Sequence, residues 1–447
     1  MPGSGKQGKL VQRTGAFAVQ LAKSLRTKEQ SAMFCSAFLS RRNTLRIFLG
    51  APALVFIPAA QANILPARLA EEIRKGFHLL DRLFWSPEWS IWLDRAGNDL
   101  RACYEGRLNP PWWSCANAVE TLTDFMKRTG SREWLTALQA LHARHRDNPD
   151  HAPLLIAALE KRGEWTPRDA ERRRTRPRPR FSTKPGFRDF NNEYLDDSGW
   201  WGLAWLKLHG LTGDPVFLDT ALAVHRHMDG HRVPDGGIVW NLENQPPVTN
   251  AISNSLFLTL SARLSLVTGK EEFLAKARKT QRWFVDQKLY DGTGIVDGPG
   301  HVGDYWSYNQ GMWILSLLAM AEASKEPALI GEAVTFTRTL LEKGGFLRDG
   351  VLIEKLSQTG WDTALFKGVL ARALGQLRDT LHLKKQEPET VVLLNRVLHD
   401  SGASLLANPR DDQGLIGLQW QSGPEKQEFN FNTQLAALMG LTAALDP

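Results

Sequence analysis

The run Asn191-Asn192-Glu193-Tyr194-Leu195-Asp196-Asp197-Ser198-Gly199-Trp200-Trp201 carries the strongest candidate chemistry in the chain. Two carboxylates stand side by side at the mouth of a helical pattern and just before two Trp. A single Asp would serve there as a helix cap, because free N–H groups and the helix dipole favour an anion at an N-terminus. Two adjacent ones repel each other and call for another reason. Neighbours on a regular helix diverge by about 100°, so a turn before the helix is the arrangement expected to aim both at one cavity. Glycoside hydrolysis uses such a pair. One carboxylate attacks or stabilises the sugar cation, and the other protonates the leaving oxygen. Mutual repulsion raises one pKa, giving an acid and a base from one residue type.

Further polar islands also stand at helix starts. Asp235-Gly236-Gly237-Ile238-Val239-Trp240 is a Gly-rich loop ending in Trp, and Asn250-Ala251-Ile252-Ser253-Asn254 opens the next helical run. Tyr305-Trp306-Ser307-Tyr308-Asn309-Gln310-Gly311 precedes another, and Trp112-Trp113 precedes Ala116. Amides and phenols bind sugar hydroxyls, and indole faces stack on sugar rings. Any one of these islands also reads as a cap or as loop packing. Their recurrence at the same point of successive hairpins favours the sugar reading.

The elements that must position these residues are helical. Apolar residues recur at helical spacing in Ala67–Phe84, Ala116–Met126, Trp200–Leu211, Phe217–Met228, Ser253–Val267, Phe273–Leu289, Gly311–Ala323, Ala328–Leu341, Ala364–Leu377, Thr390–Leu406 and Phe431–Leu445. Three segments share T-G-x-x-x-aromatic-Leu: Thr129–Leu135, Thr212–Leu218 and Thr268–Leu274. Each Gly is placed to end one helix in a left-handed turn, while the aromatic and Leu anchor the next. A repeat of helical hairpins at this density predicts an all-α fold, an (α/α)6 barrel, with an open helical solenoid as the rival. In a toroid, alternate helix starts surround one end of the central cavity.

Charge and composition narrow the class. The chain's 447 residues carry a formal net charge of +7. Residues 1–62 hold +8 and Arg168–Arg180 hold +5, which leaves −6 for the rest. A broad basic face for nucleic acid is therefore excluded. Three Cys exclude a disulfide scaffold, and no Cys-x-x-Cys spacing is present, so no metal or organic cofactor is implied. Cys103 and Cys115 remain as a pair whose spacing does not decide bonding. Sixteen Trp against five Tyr is unusual. Most must fill the core, with a minority expected to line a site.

Residues 1–62 read as a leader. Arg41-Arg42 begin a charged region, Ile47–Ala60 is an apolar run too short to span a membrane, and Ala60-Gln61-Ala62 is a small-residue cleavage signal. We expect export by a twin-arginine-type signal cut before Asn63, with Met33 as an alternative start and an uncleaved anchor or tail as the alternative reading. No later segment looks transmembrane. Gly163–Gly186, with its Arg/Pro alternation, is expected to be an exposed loop. It reads as a solvated insertion, or else as a contact for an anionic lipid or phosphorylated glycan.

Taken in order, Asp196-Asp197-x-Gly-Trp-Trp-x-Leu-Ala, Gly236-Gly237-x-x-Trp240, Asn250-Ala251-Ile252-Ser253-Asn254, Tyr308-Asn309-Gln310-Gly311 and Phe366-Lys367-Gly368 resemble glycoside hydrolase family 76. The resemblance runs from about Pro110 to the C-terminus. It is strongest to the bacterial endo-α-1,6-mannanases and weaker to the fungal wall transglycosidases of that family. It implies an (α/α)6 barrel and a retaining reaction on α-mannan, with Asp196 as nucleophile and Asp197 as acid/base. It also implies that Asn250, Tyr308, Asn309 and Gln310 fall near the sugar subsites. With the islands above and Lys367, the expected substrate-binding set is Trp112, Trp113, Trp200, Trp201, Gly236, Gly237, Trp240, Asn250, Asn254, Tyr308, Asn309, Gln310 and Lys367. The expected protein is one catalytic domain over 63–447, a monomer, exported to the periplasm or beyond. Its rivals are a transglycosidase using the same residues, a non-catalytic glycan binder, and a basic-loop protein for nucleic acid or anionic lipid.

Overall fold

A computed structural model describes residues 64–147, 152–175, 187–355, 361–421 and 427–446. The leader read at 1–62 lies outside the described residues, as does the Arg/Pro alternation from 176 to 186. The described part is all-α apart from two two-stranded hairpins, β1 (Trp85–Ser86) with β2 (Ile91–Trp92) and β3 (Leu347–Arg348) with β4 (Val351–Leu352).

Six helices form an inner ring: α3 (Trp112–Thr129), α7 (Leu195–Thr212), α9 (Ala251–Thr268), α11 (Ser307–Ser324), α13 (Thr363–Lys384) and α15 (Phe431–Ala444). Each packs on the next, and α15 returns to α3, so the ring closes. Four of them, α7, α9, α11 and α15, are apolar nearly all round, as a helix buried on every side requires, whereas α3 and α13 also carry buried charges. In α15 every residue from Phe431 to Ala444 is buried. The outer layer is amphipathic: α1 (Ile64–Phe84), α4 (Leu135–His145), α8 (Pro215–Asp229), α10 (Glu271–Asp286), α12 (Ala328–Lys343) and α14 (Pro388–Ala407). In α10 the buried residues Phe273, Leu274, Ala277, Thr280, Trp283 and Phe284 form one stripe at helical spacing. The architecture is an (α/α)6 barrel. Its last hairpin joins distant parts of the chain, because the outer partner of α15 is α1. Phe84 meets Phe431 edge-on at 5.6 Å between ring centroids.

The T-G signal marks what it was read to mark. Gly130, Gly213 and Gly269 end α3, α7 and α9 with φ near +70°. The same left-handed turn ends α11 and α13, but there Lys325 and Lys385 adopt it. This explains why the repeat is visible in only part of the sequence.

Smaller helices lie outside the ring: α2 (Leu100–Tyr104), α5 (Ala152–Lys161) and α6 (Pro167–Thr175). The last corrects the loop expected across 163–186. Pro alternation begins only at Pro177, and Pro167–Thr175 form a helix with Pro167 at its first position. The Asp169 carboxylate accepts from Thr166 N at 2.9 Å and from Thr166 Oγ1 at 2.6 Å, and it pairs with Arg101 at 2.8 Å. Cys103 and Cys115 are separate, buried thiols. Burial pushes the Cys103 thiol up to about 12. Among the described residues no helix is long and apolar enough to cross a membrane.

Candidate active site

The N-terminal ends of the inner helices open on a cleft of about 520 Å³. Its walls follow the ring: Trp113 from α3, Asp196, Asp197 and Trp200 from α7, Asn250 ahead of α9, Tyr308 from α11, and Asp362 and Phe366 at α13. Connecting loops add Trp240, Thr249, Asp297 and His301.

Both carboxylates lie within the first turn of α7, rather than in a turn before it, and both still face the cleft. The chain enters this turn through two left-handed residues, Asp189 (φ 53°) and Phe190 (φ 64°). Such strain costs of order 1–3 kcal/mol per residue and persists only where the surroundings enforce it. Phe190 is held in a buried aromatic stack with Trp112, Trp201, Trp205 and His142. The bend brings Asn192 alongside the pair.

The two carboxylates have different partners. Asp196 accepts from the Trp240 indole at 3.0 Å on Oδ2 and from Asp197 N at 3.0 Å on Oδ1. Asp197 accepts from Asn192 Nδ2 at 2.7 Å on Oδ2. Burial pushes the Asp196 carboxyl up to about 7, against those N–H donors and with a push from the Asp362 charge. Asp197 is driven well above the usual carboxylate range, by burial first and then by the charge of Asp196. Asp196 is thus the better anion, and Asp197 keeps its proton. Across the cleft, Asp297 Oδ1 accepts from Asn309 Nδ2 at 2.8 Å and from the Tyr308 hydroxyl at 3.4 Å. Burial raises the Asp297 pKa.

The expected site residues divide between wall and support. Trp113, Trp200, Trp240, Asn250 and Tyr308 line the cleft with the Asp pair. Trp112 and Trp201 do not, being buried in the aromatic stack below it. Consecutive helical residues point in different directions, so each Trp-Trp pair puts one ring in the cleft and one in the core. Gly236 and Gly237 also stay off the cleft. A Cβ at Gly237 would meet the Trp283 ring at 2.6 Å, so this Gly permits packing. Asn309 is buried behind Asp297. Lys367 is buried with its amine 5.4 Å from the Trp420 ring centroid, and burial lowers it to about 8.

Asn254 and Gln310 have a shared structural role. The Asn254 amide accepts from Ile238 N at 2.8 Å and donates to Ile238 O at 3.1 Å. The Gln310 amide does the same to Ile295, at 2.8 and 2.7 Å. Gln434, which the sequence reading passed over, accepts from Ile416 N at 2.8 Å. Each amide stands four residues after its helix N-cap and fixes the loop that enters that helix. Each loop begins with an Asp (Asp235, Asp291 or Asp411) whose carboxylate accepts a backbone N–H two residues on. Asp, then Gly, then Ile, then a helix-start amide is therefore a second internal repeat, and it was legible.

Asp297, His301, Thr249 and Asp362 were missed. No metal-ligand cluster of three or more His, Cys, Asp or Glu occurs among the described residues.

Comparison with known proteins agrees with this geometry. A mannan endo-1,6-alpha-mannosidase of Eremothecium gossypii is 24% identical over 271 residues, 54% of this chain and 58% of that protein. The chain thus spans less than two thirds of that curated relative. The alpha-1,6-mannanase of Salegentibacter sp. HEL1_6 superposes with a TM-score of 0.62 at 20% identity, covering 85% of this chain and 98% of the other. Dfg5 from Chaetomium thermophilum, in complex with glucosamine, gives 0.62 at 17%, covering 85% and 90%. Both share the fold. The family model for glycosyl hydrolase family 76 matches residues 181–446, more than half of the chain, and the chain belongs to that family.

Proposed function

We propose that this chain is a retaining glycoside hydrolase that cleaves α-1,6-linked mannan by double displacement. The observation that carries the reading is the pairing of Asp196 and Asp197 on one cleft with unequal partners. Asp196, an anion at a helix N-terminus with two N–H donors, attacks the anomeric carbon. Asp197, still protonated, gives its proton to the departing O6 of the next sugar as the glycosidic bond breaks. The product is a glycosyl ester on Asp196. Asp197, now a carboxylate, takes a proton from water, whose oxygen attacks the same carbon and frees Asp196. Trp113, Trp200 and Trp240 give the cleft apolar faces suited to sugar rings. The relatives' names support mannan as the substrate class. No step needs a metal or an organic cofactor.

The protein that acts is the part after residue 62, exported by a twin-arginine-type signal and working outside the cytoplasm. This rests on the leader's charge, apolar run and cleavage signal.

The test is incubation of wild type and Asp196→Asn with α-1,6-mannan, reading released reducing ends. Wild type should release oligosaccharides and the variant essentially none. No release by wild type overturns the substrate; full activity in the variant overturns the nucleophile.

A further inference from the structure

We propose that Asp362 is a positioning residue of the cleft, its carboxylate holding the indole of Trp113 as a fixed sugar-facing wall. The inference rests on the mannan-hydrolase reading and adds a residue to it.

Asp362 occupies the N-cap position of α13, where an Asp ordinarily accepts a hydrogen bond from the first turn. It makes no such bond. Its Oδ1 instead accepts from Trp113 Nε1 at 2.8 Å, reaching from the start of α13 to the start of α3. A residue that forgoes a locally available role does so for a tertiary one. Both residues line the cleft that holds Asp196 and Asp197.

The indole so held has neighbours on both sides. Trp113 lies 5.9 Å from Trp200 and 6.0 Å from Phe366 between ring centroids. Phe366 in turn stacks on Tyr308 at 4.0 Å and 8°. Trp113, Phe366 and Tyr308 thus form a continuous aromatic wall beside the catalytic pair. The two polar edges in this row are both held by carboxylates, the Trp113 indole by Asp362 at 2.8 Å and the Tyr308 hydroxyl by Asp297 at 3.4 Å. From below, Asn117 Nδ2 donates to Trp113 O at 3.2 Å, which fixes the backbone but not the ring.

The carboxylate has a second effect. Facing it in the cleft are Asp196 and Asp197 on α7, and Tyr308 on α11, with Asp297 and His301 on the loop before α11. Its charge opposes ionisation of Asp196, Asp197 and Tyr308. Removing that charge while keeping an acceptor separates the two effects.

The experiment compares wild type, Asp362→Ala, Asp362→Asn, Trp113→Phe and the Asp362→Ala/Trp113→Phe double variant, as full chains. The indole N–H signal lost in Trp113→Phe identifies Trp113 in a ¹H–¹⁵N spectrum. It should move upfield in Asp362→Ala and stay near its place in Asp362→Asn, whose Oδ1 still accepts. On α-1,6-mannan, Asp362→Ala should raise KM about tenfold with kcat changed far less. Asp362→Asn should restore KM while its alkaline pH limb moves to lower pH. The double variant should be no worse than the poorer single. An unmoved indole signal in Asp362→Ala overturns the inference, as does an unchanged KM or a strictly additive double variant. A wild type that releases nothing from mannan overturns the substrate reading and this inference with it. Because Asp362 is exposed and caps nothing, its variants should fold, which thermal melts will check.

Discussion

The indole of Trp240 donates to Oδ2 of Asp196 at 3.0 Å, joining residues 44 positions apart. The loop carrying Trp240 is laid along the start of α7, since Leu195 N donates to Trp240 O at 2.8 Å. The bond favours the anion of Asp196. Trp240→Phe keeps the ring and removes the donor. A hydrogen bond to a charged group contributes roughly 1.5–3 kcal/mol, so kcat/KM should fall about tenfold to a hundredfold. The Asp196 pKa, already about 7, should rise further. The acid limb of the rate profile should therefore move to higher pH, and a limb that stays in place would contradict this account.

The catalytic pair should weaken the fold at neutral pH. The folded-state pKa of Asp197 lies well above its ordinary 3.8. Its stabilising effect is complete below the unfolded pKa and is lost as pH rises through the folded value. Asn at this position does not titrate. Asp197→Asn should therefore melt about 1–3 °C higher than wild type at pH 8, with the gap closing near pH 4. Melting curves at several pH values would expose the opposite trend. The same variant should lose turnover.

A buried charge cluster spans the ring below the cleft. Glu120 of α3 pairs with Arg372 of α13 and, at 2.6 Å, with Lys207 of α7. Burial by itself would raise the Glu120 carboxyl, but Arg372 and Lys207 outweigh it and hold it at about 2. This contribution is present above the unfolded pKa of 4.5 and is lost as pH falls through about 2. Arg372→Met leaves Glu120 short of a partner in a dry interior and should destabilise by about 3 kcal/mol. Glu120→Gln added to it should restore part of the loss, measured by urea unfolding.

Inner helices α11 and α13 approach closely at Gly311. A Cβ there would lie 2.9 Å from Leu370 Cα and from Val369 O, both backbone atoms that cannot rotate away. Gly311→Ala should therefore cost about 2–3 kcal/mol. Because Tyr308 and Asn309 sit one turn earlier, it should also lower activity. A neutral result in both assays would place the two helices farther apart than the structure has them.

Much of the barrel was legible because its signals are local. Apolar periodicity, Gly at the helix ends and an Asp pair ahead of two Trp all operate within a few residues. The loop-and-amide repeat of Ile238 with Asn254, Ile295 with Gln310 and Ile416 with Gln434 was equally present and passed over, its parts lying 15 to 18 residues apart. Assigning the binding residues was harder. Asn254 and Gln310 were read as sugar ligands, whereas their amides are spent on loop backbones.

The sequence by itself determined the helices, where several of them end, and which two carboxylates stand together. It also determined that the net positive charge belongs to residues 1–62 and 168–180 rather than to the remainder. Tertiary structure decided which other groups join that pair. Asp362 and Trp113 are 249 positions apart and meet only because six inner helices close into a ring with their starts at one mouth. Closure also makes α1 the partner of α15, from opposite ends of the described chain. Periodicity shows that a helix has an apolar side; only packing shows which helix covers it, and so which lone Asp caps and which faces the cleft.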